Sequence, residues 1–226
     1  MKKILIFLAV IAAGAVFFAC SKGDAGPAGP AGENTATAVF RSGVSPSAAY
    51  AGCYDTFILD TNPDTNRDDS NFLLVGRASS ITYRTLIKFD VDYIVPSNVT
   101  VLSAYLDMSV QASGGTITVT AYALSNDFVE TEATWNSYST GNLWTNAGAD
   151  FVSAASQPAV FDTSSSPRRI TLTPSVVQSW IANPAQNTGL LLKGTVETGT
   201  GASWIRFDSW EITGNEPKLT INYILP

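Results

Sequence analysis

The sequence predicts an all-β domain, a jelly-roll-like β-sandwich with one short helix, and three observations predict it. From about Tyr50 onward, runs rich in Val, Ile, Thr, Phe and Tyr are separated by clusters of Gly, Asn, Asp, Ser and Pro. In the clearest run, residues 102–110, Leu102, Ala104, Leu106, Met108 and Val110 alternate with Ser103, Tyr105, Asp107 and Ser109, the period of two of a half-buried strand. The chain of 226 residues is 45% hydrophobic and 11% aromatic, enough apolar surface for a core of this kind.

The first twenty residues precede that domain. Lys2 and Lys3 are followed by an apolar run of 16 residues, 4–19, and then by Cys20. This is the charged and hydrophobic order of an export signal, too short for a spanning helix of roughly 20 residues. Val16-Phe17-Phe18-Ala19-Cys20 resembles a bacterial lipobox, so cleavage before Cys20 and lipidation of that cysteine are expected. The cleaved chain retains 11 basic and 19 acidic side chains, a net charge of −8. Ser21 after the lipid cysteine, rather than Asp, resembles an outer-membrane sorting signal, and anchorage at the outer membrane or cell surface is expected. Glycines at 23, 26, 29 and 32 set a Gly-x-y spacing too short for a lasting triple helix, and residues 20–49 are expected to be a Pro/Gly/Ala spacer before a domain at 50–226.

Within the domain, nine strand-like runs follow in order: 56–60, 72–75, 85–89, 102–110, 117–123, 170–173, 190–193, 204–207 and 219–224. Ile117, Val119, Ala121 and Ala123 repeat the alternation of 102–110 after the turn signal Ser113-Gly114-Gly115, which predicts a hairpin between the two runs. One helix interrupts the strands. Thr173 is its cap, Pro174 its first position, Val176, Val177, Trp180 and Ile181 its apolar face, and Asn183-Pro184 its stop. Trp180 is expected to plug one end of the sandwich. Cys53, left alone once Cys20 is lipidated, is expected to be a buried small hydrophobe.

The chain contains no histidine. That removes Ser-His-Asp and Cys-His nucleophile pairs and His-ligated zinc. The acidic balance and the lack of a Lys/Arg cluster remove nucleic acid as a partner. No spacing among the nineteen acids singles out a catalytic pair, so the expectation is a protein without enzymatic activity.

Several blocks then resemble the DNRLRE domains. They are Tyr54-Asp55-Thr56-Phe57-Ile58-Leu59-Asp60, Leu73-Leu74-Val75-Gly76, Arg84-Thr85-Leu86-Ile87-Lys88-Phe89-Asp90-Val91 and Ser103-Ala104-Tyr105-Leu106. Later come Glu132-Ala133-Thr134-Trp135-Asn136, Val176-Val177-Gln178-Ser179-Trp180, Asn187-Thr188-Gly189-Leu190-Leu191-Leu192, Phe207-Asp208-Ser209-Trp210-Glu211 and Pro217-Lys218-Leu219. The chain departs from the family pattern at Asn66-Arg67-Asp68 and at Trp210. The resemblance implies a jelly-roll-like sandwich of secreted proteins, an accessory module of which one branch binds carbohydrate beside enzymes such as alginate lyases.

Four constellations are candidates for chemistry. Asp60, Asn62, Asp64, Asn66 and Asp68 place an oxygen at every second position, which makes calcium a candidate ligand, the alternative being a solvent loop of Asx turns stiffened by Pro63. Arg84 and Glu211, in two blocks of the resemblance, are a candidate structural ion pair. Trp144 in a polar loop, Trp204 with Arg206 opposite the apolar Ile205 and Phe207, and Trp210 are candidate ligand platforms, each alternatively buried against a loop. Lys88, Arg168, Arg169 and Arg206, if they shared one face, would suit the carboxylates of an acidic sugar. The expected function is that of a lipid-anchored surface protein binding an extracellular polysaccharide, acidic ones included. The alternative is a structural or adhesive lipoprotein that self-assembles or binds a protein.

Overall fold

The computed structural model describes residues 34–226 except positions 93, 165 and 200. The expected signal, lipidated Cys20 and the first part of the spacer, up to residue 33, lie outside the described residues. The strands are β1 (Thr35–Phe40), β2 (Cys53–Leu59), β3 (Phe72–Ala78), β4 (Ile81–Phe89), β5 (Thr100–Met108), β6 (Val110–Ser113), β7 (Ile117–Leu124), β8 (Ser137–Ser139), β9 (Asn142–Leu143), β10 (Phe151–Ala154), β11 (Ala159–Phe161) and β12 (Arg168–Leu172). Helix α1 (Pro174–Ala182) follows, and β13 (Leu190–Gly194), β14 (Ser203–Asp208) and β15 (Lys218–Ile224) complete the chain.

Two antiparallel sheets form the predicted sandwich. The smaller runs β1-β15-β5-β12 and the larger β10-β7-β13-β4-β3-β14-β6, with β2 also paired to β4 and β11 to β7. β8 and β9 form a separate small ladder. Inward residues of both sheets, among them Phe40, Leu106, Ile170, Phe161 and Phe207, make one continuous core, and the rings of Phe161 and Phe207 meet edge to face at 5.4 Å.

The fold begins before the expected boundary at residue 50. β1 comes from the stretch assigned to the spacer, pairs with β15 and buries Ala38 and Phe40. Its Thr-Ala-Thr-Ala-Val-Phe sequence has the required alternation, diluted by small residues.

Two further expectations are corrected. Leu102 does not share the core face of its strand: a register shift against β15 leaves it unpaired between Val101 and Ser103, so Val101 turns inward and Leu102 is 44% exposed. The run also does not form a hairpin with 117–123. β5 ends at Met108, the chain crosses at Ser109 to the other sheet, and β6 pairs with β14 while β7 pairs with β13. Alternation identifies which residues share a face but carries no information on which strands pair.

α1 matches its predicted start and stop and lays Val177, Trp180 and Ile181 into the core. Thr173 occupies the cap without a side-chain capping bond; Pro174 removes one free N–H, and Val176 N–H donates to the Thr173 carbonyl at 3.0 Å. Gln178 ties the helix to β5, accepting from Val101 N–H and donating to Val99 O. Cys53 is buried as expected, and burial pushes its thiol well up, so it behaves as an inert small hydrophobe.

The smaller sheet carries an ion-pair cluster with a pH consequence. Asp107 on β5 stands directly opposite Arg169 on β12 and Lys218 on β15, with contacts of 2.7 and 3.2 Å. Burial would raise its carboxyl, but the bonds and charges of Arg169 and Lys218 outweigh that and hold it below its ordinary value. A carboxyl lower in the folded than in the unfolded chain stabilises the fold above the unfolded value, and that stability is lost as pH falls through the folded one. Asp107→Asn is therefore expected to cost about 2 kcal/mol at neutral pH. Its melting temperature should also fall less steeply than the parent's below about pH 4. Thermal unfolding followed against pH checks this, and identical acid limbs in the two proteins would refute it.

Candidate functional site

The outer face of the larger sheet carries an aromatic shelf. Ile205 and Phe207 on β14 and Leu73 and Val75 on β3 point into the core, so Trp204, Arg206, Phe72 and Leu74 point outward. The register sets Arg206 opposite Leu74 and Trp204 opposite Gly76. With Ala78 and Tyr83 these side chains line a shallow depression of about 230 Å³. The Arg206 guanidinium lies 3.9 Å over the Phe72 ring, Phe72 stacks on Phe57 at 5.5 Å, and Phe57 meets Tyr83 at 6.4 Å.

Two of the predicted ligand residues, Trp204 and Arg206, are thus brought together half-exposed. The Trp204 indole lies against Gly114, where a Cβ would come within 2.0 Å of its Nε1. Lys88 pairs with Asp127, Arg168 with Asp162 and Arg169 with Asp107, whereas Arg206 has no carboxylate partner among the described residues. The four cations do not share a face, since Arg168 and Arg169 stand on the smaller sheet.

Trp144 is corrected to a core residue. The segment 125–150 folds over the outer face of β2, β4, β7 and β13, and Trp144, 5% exposed, packs with Ile58, Leu86, Phe128 and Leu191. Its Nε1–H donates to Thr134 O at 3.0 Å, satisfying the one polar atom of the ring.

Arg84 does form a part-buried ion pair, but with Glu197 rather than Glu211. Its Nε and Nη2 donate to the two oxygens of Glu197 at 2.9 and 2.8 Å, Nη1 donates to Gly148 O, and the guanidinium lies 4.9 Å over Trp135. Glu197 also holds Lys193 at 3.3 Å. These cations border a second, polar cleft of about 560 Å³ with Asn126, Asn146, Asp150 and Phe151. Glu211 lies elsewhere, because β14 ends at Asp208 and the turn after it carries Glu211 to β2 and the start of segment 125–150.

There Asp55, Glu130 and Glu211 converge. Trp210 N–H donates to Asp55 Oδ2 at 3.0 Å, and Glu130 Oε1 accepts from Asp55 N–H at 2.7 Å and Trp210 Nε1–H at 2.8 Å. Trp210 therefore spends its polar edge inside the molecule, away from the shelf, with its ring against the core. Burial pushes the Asp55 carboxyl well up, with Glu211 adding to it; burial likewise raises Glu130 and Glu211.

The alternating loop does not gather its oxygens around one point. Asp60 accepts from Thr82 N–H at 3.0 Å and Asp64 from Asn136 Nδ2 at 2.8 Å. Asn66 donates to Glu130 O and Ala133 O and accepts from Asp68 N–H, an Asx turn. The Asn62 carbonyl closes a backbone turn with Thr65. Its second half approaches the acid cluster, Asn66 through the Glu130 main chain and Asp68 and Asp69 by adding their charge to the field at Glu211. Sequence reasoning missed Phe72 and Tyr83, although Phe72 and Leu74 alternate with the apolar Leu73 and Val75. It also passed over Asp55, an acid inside an apolar strand, which is itself a signal.

A search of the curated proteins finds no match. The model of carbohydrate-binding module family 96 matches residues 46–223, from the turn before β2 almost to the end of β15. The match takes in every strand but β1, together with the shelf, the polar cleft and the acid cluster; the chain belongs to carbohydrate-binding module family 96.

Proposed function

We propose that this chain is an exported, lipid-anchored surface protein of the DNRLRE type whose sandwich binds an extracellular polysaccharide, without catalysis, through the Trp204–Arg206 shelf. The carrying observation is the pairing of a half-exposed aromatic face with a cation that has no carboxylate partner among the described residues. Sugar rings stack on flat aromatic faces, and the unpaired guanidinium suits a uronate carboxylate or vicinal hydroxyls. The anchoring rests on the order Lys2-Lys3, apolar 4–19, Cys20.

The test is calorimetry and a glycan array with unlipidated chain 20–226 carrying Cys20→Ser. Trp204→Ala is expected to weaken binding at least tenfold, about 1.4 kcal/mol, with an unchanged melting temperature. Gly114→Ala, which displaces the indole, should do the same, and Arg206→Ala should weaken acidic polymers most. Loss of binding in Phe151→Ala with the shelf variants unaffected would move the site to the polar cleft. Concentration-dependent oligomers with no glycan bound would favour the adhesive alternative.

A further inference from the structure

We propose that Asp55, Glu130 and Glu211 form a calcium site that fastens three distant segments of the chain together. Asp55 comes from β2, Glu130 from the segment that folds over the larger sheet, and Glu211 from the turn after β14. One carboxylate oxygen of each lies within 4.8 Å of the others. Ligands on opposite sides of a calcium ion at 2.3–2.6 Å are about 4.6–5.2 Å apart, so all three oxygens can touch one such ion. Magnesium, at 2.0–2.1 Å, demands near-ideal octahedral geometry and sheds its waters reluctantly, so a three-carboxylate site suits calcium better.

The second observation is the state of the oxygens. Asp55 is 1% exposed, and its Oδ1 has no hydrogen-bond partner among the described residues; neither has the buried Oε2 of Glu211. Trp210 and the Asp55 N–H engage the other Asp55 oxygen and Glu130 Oε1, which fixes how the carboxylates are presented. None of the ion pairs among the described residues includes any of the three acids. Three carboxylates packed together with no ion-pair partner among the described residues carry a large desolvation cost. A hard divalent cation supplies the missing charge and the missing partner of Oδ1 at once.

The test uses the unlipidated chain 20–226, stripped with EDTA and titrated with calcium chloride. One calcium per chain is expected, with a melting temperature raised by about 5–10 °C at a hundredfold excess over Kd. Terbium at the site should luminesce on indole excitation, a signal lost in Trp210→Phe. Glu211→Gln should abolish the calcium-dependent rise and the terbium signal, and so should Asp55→Asn. Asp64→Ala, in the alternating loop, should keep both. No calcium bound by the stripped protein, an equal response to magnesium, or a full calcium response in Glu211→Gln would overturn the proposal. The readouts involve no sugar, so they stand or fall apart from the polysaccharide reading.

Discussion

Trp144→Ala is expected to destabilise the domain by about 4 kcal/mol, the usual cost of truncating a buried aromatic. For a domain of this size that lowers the melting temperature by about 8–16 °C. The ring fills the centre of the small core between segment 125–150 and the outer face of the larger sheet, against Leu86 and Leu191 and 5.3 Å from Tyr138. Its removal leaves a cavity that β8 and β9, a short ladder of their own, cannot close by sheet pairing. Trp144→Phe retains most of the volume but leaves Thr134 O without its donor, a smaller loss of about 1–3 kcal/mol. Hydrogen exchange should show amides of 125–150 losing protection first, because they open without the main core. Polysaccharide affinity measured well below the melting point should stay unchanged, since the shelf stands on β3, β4 and β14. Near-parental stability together with lost binding would restore Trp144 as a ligand platform.

The strands were legible because a half-buried strand writes its burial into a period of two, and the helix because Pro174 and Asn183-Pro184 bracket it. Trp204 and Arg206 were legible for the same reason, lying opposite Ile205 and Phe207. Their neighbours were not, because Phe72 and Tyr83 join them only through the registers of β3 with β14 and β4. The burial of Trp144 had a signal that the polar loop around it masks. Leu190, Leu191 and Leu192 form an unbroken apolar run, and such a run needs cover on both faces of its strand. Arg84 is the converse case: a buried guanidinium needs a carboxylate, but the sequence does not say which of nineteen closes on it.

Gly76→Ala is expected to cost at least about 3 kcal/mol and to remove polysaccharide binding as well. Gly76 has φ +105°, a conformation that L side chains rarely adopt. A Cβ there would also come within 2.3 Å of Ser203 O, a backbone atom held in the β3–β14 ladder, and 2.4 Å of Ile117 Cδ1. Neither strain can be relieved by one flexible side chain, so the ladder itself must shift. Because Gly76 stands opposite Trp204 in register, that shift moves the indole relative to Tyr83 and Leu74 and spoils the shelf. Gly194, whose own Cβ would meet Gly76 Cα and Ile117 Cδ1 at 3.1 Å and whose φ is not positive, offers the control. Gly194→Ala should be the milder change, losing less stability in denaturant titrations and keeping most of the sugar affinity. An equal or reversed order would mean that close packing at this crossing, rather than the left-handed backbone at Gly76, sets the geometry of the shelf.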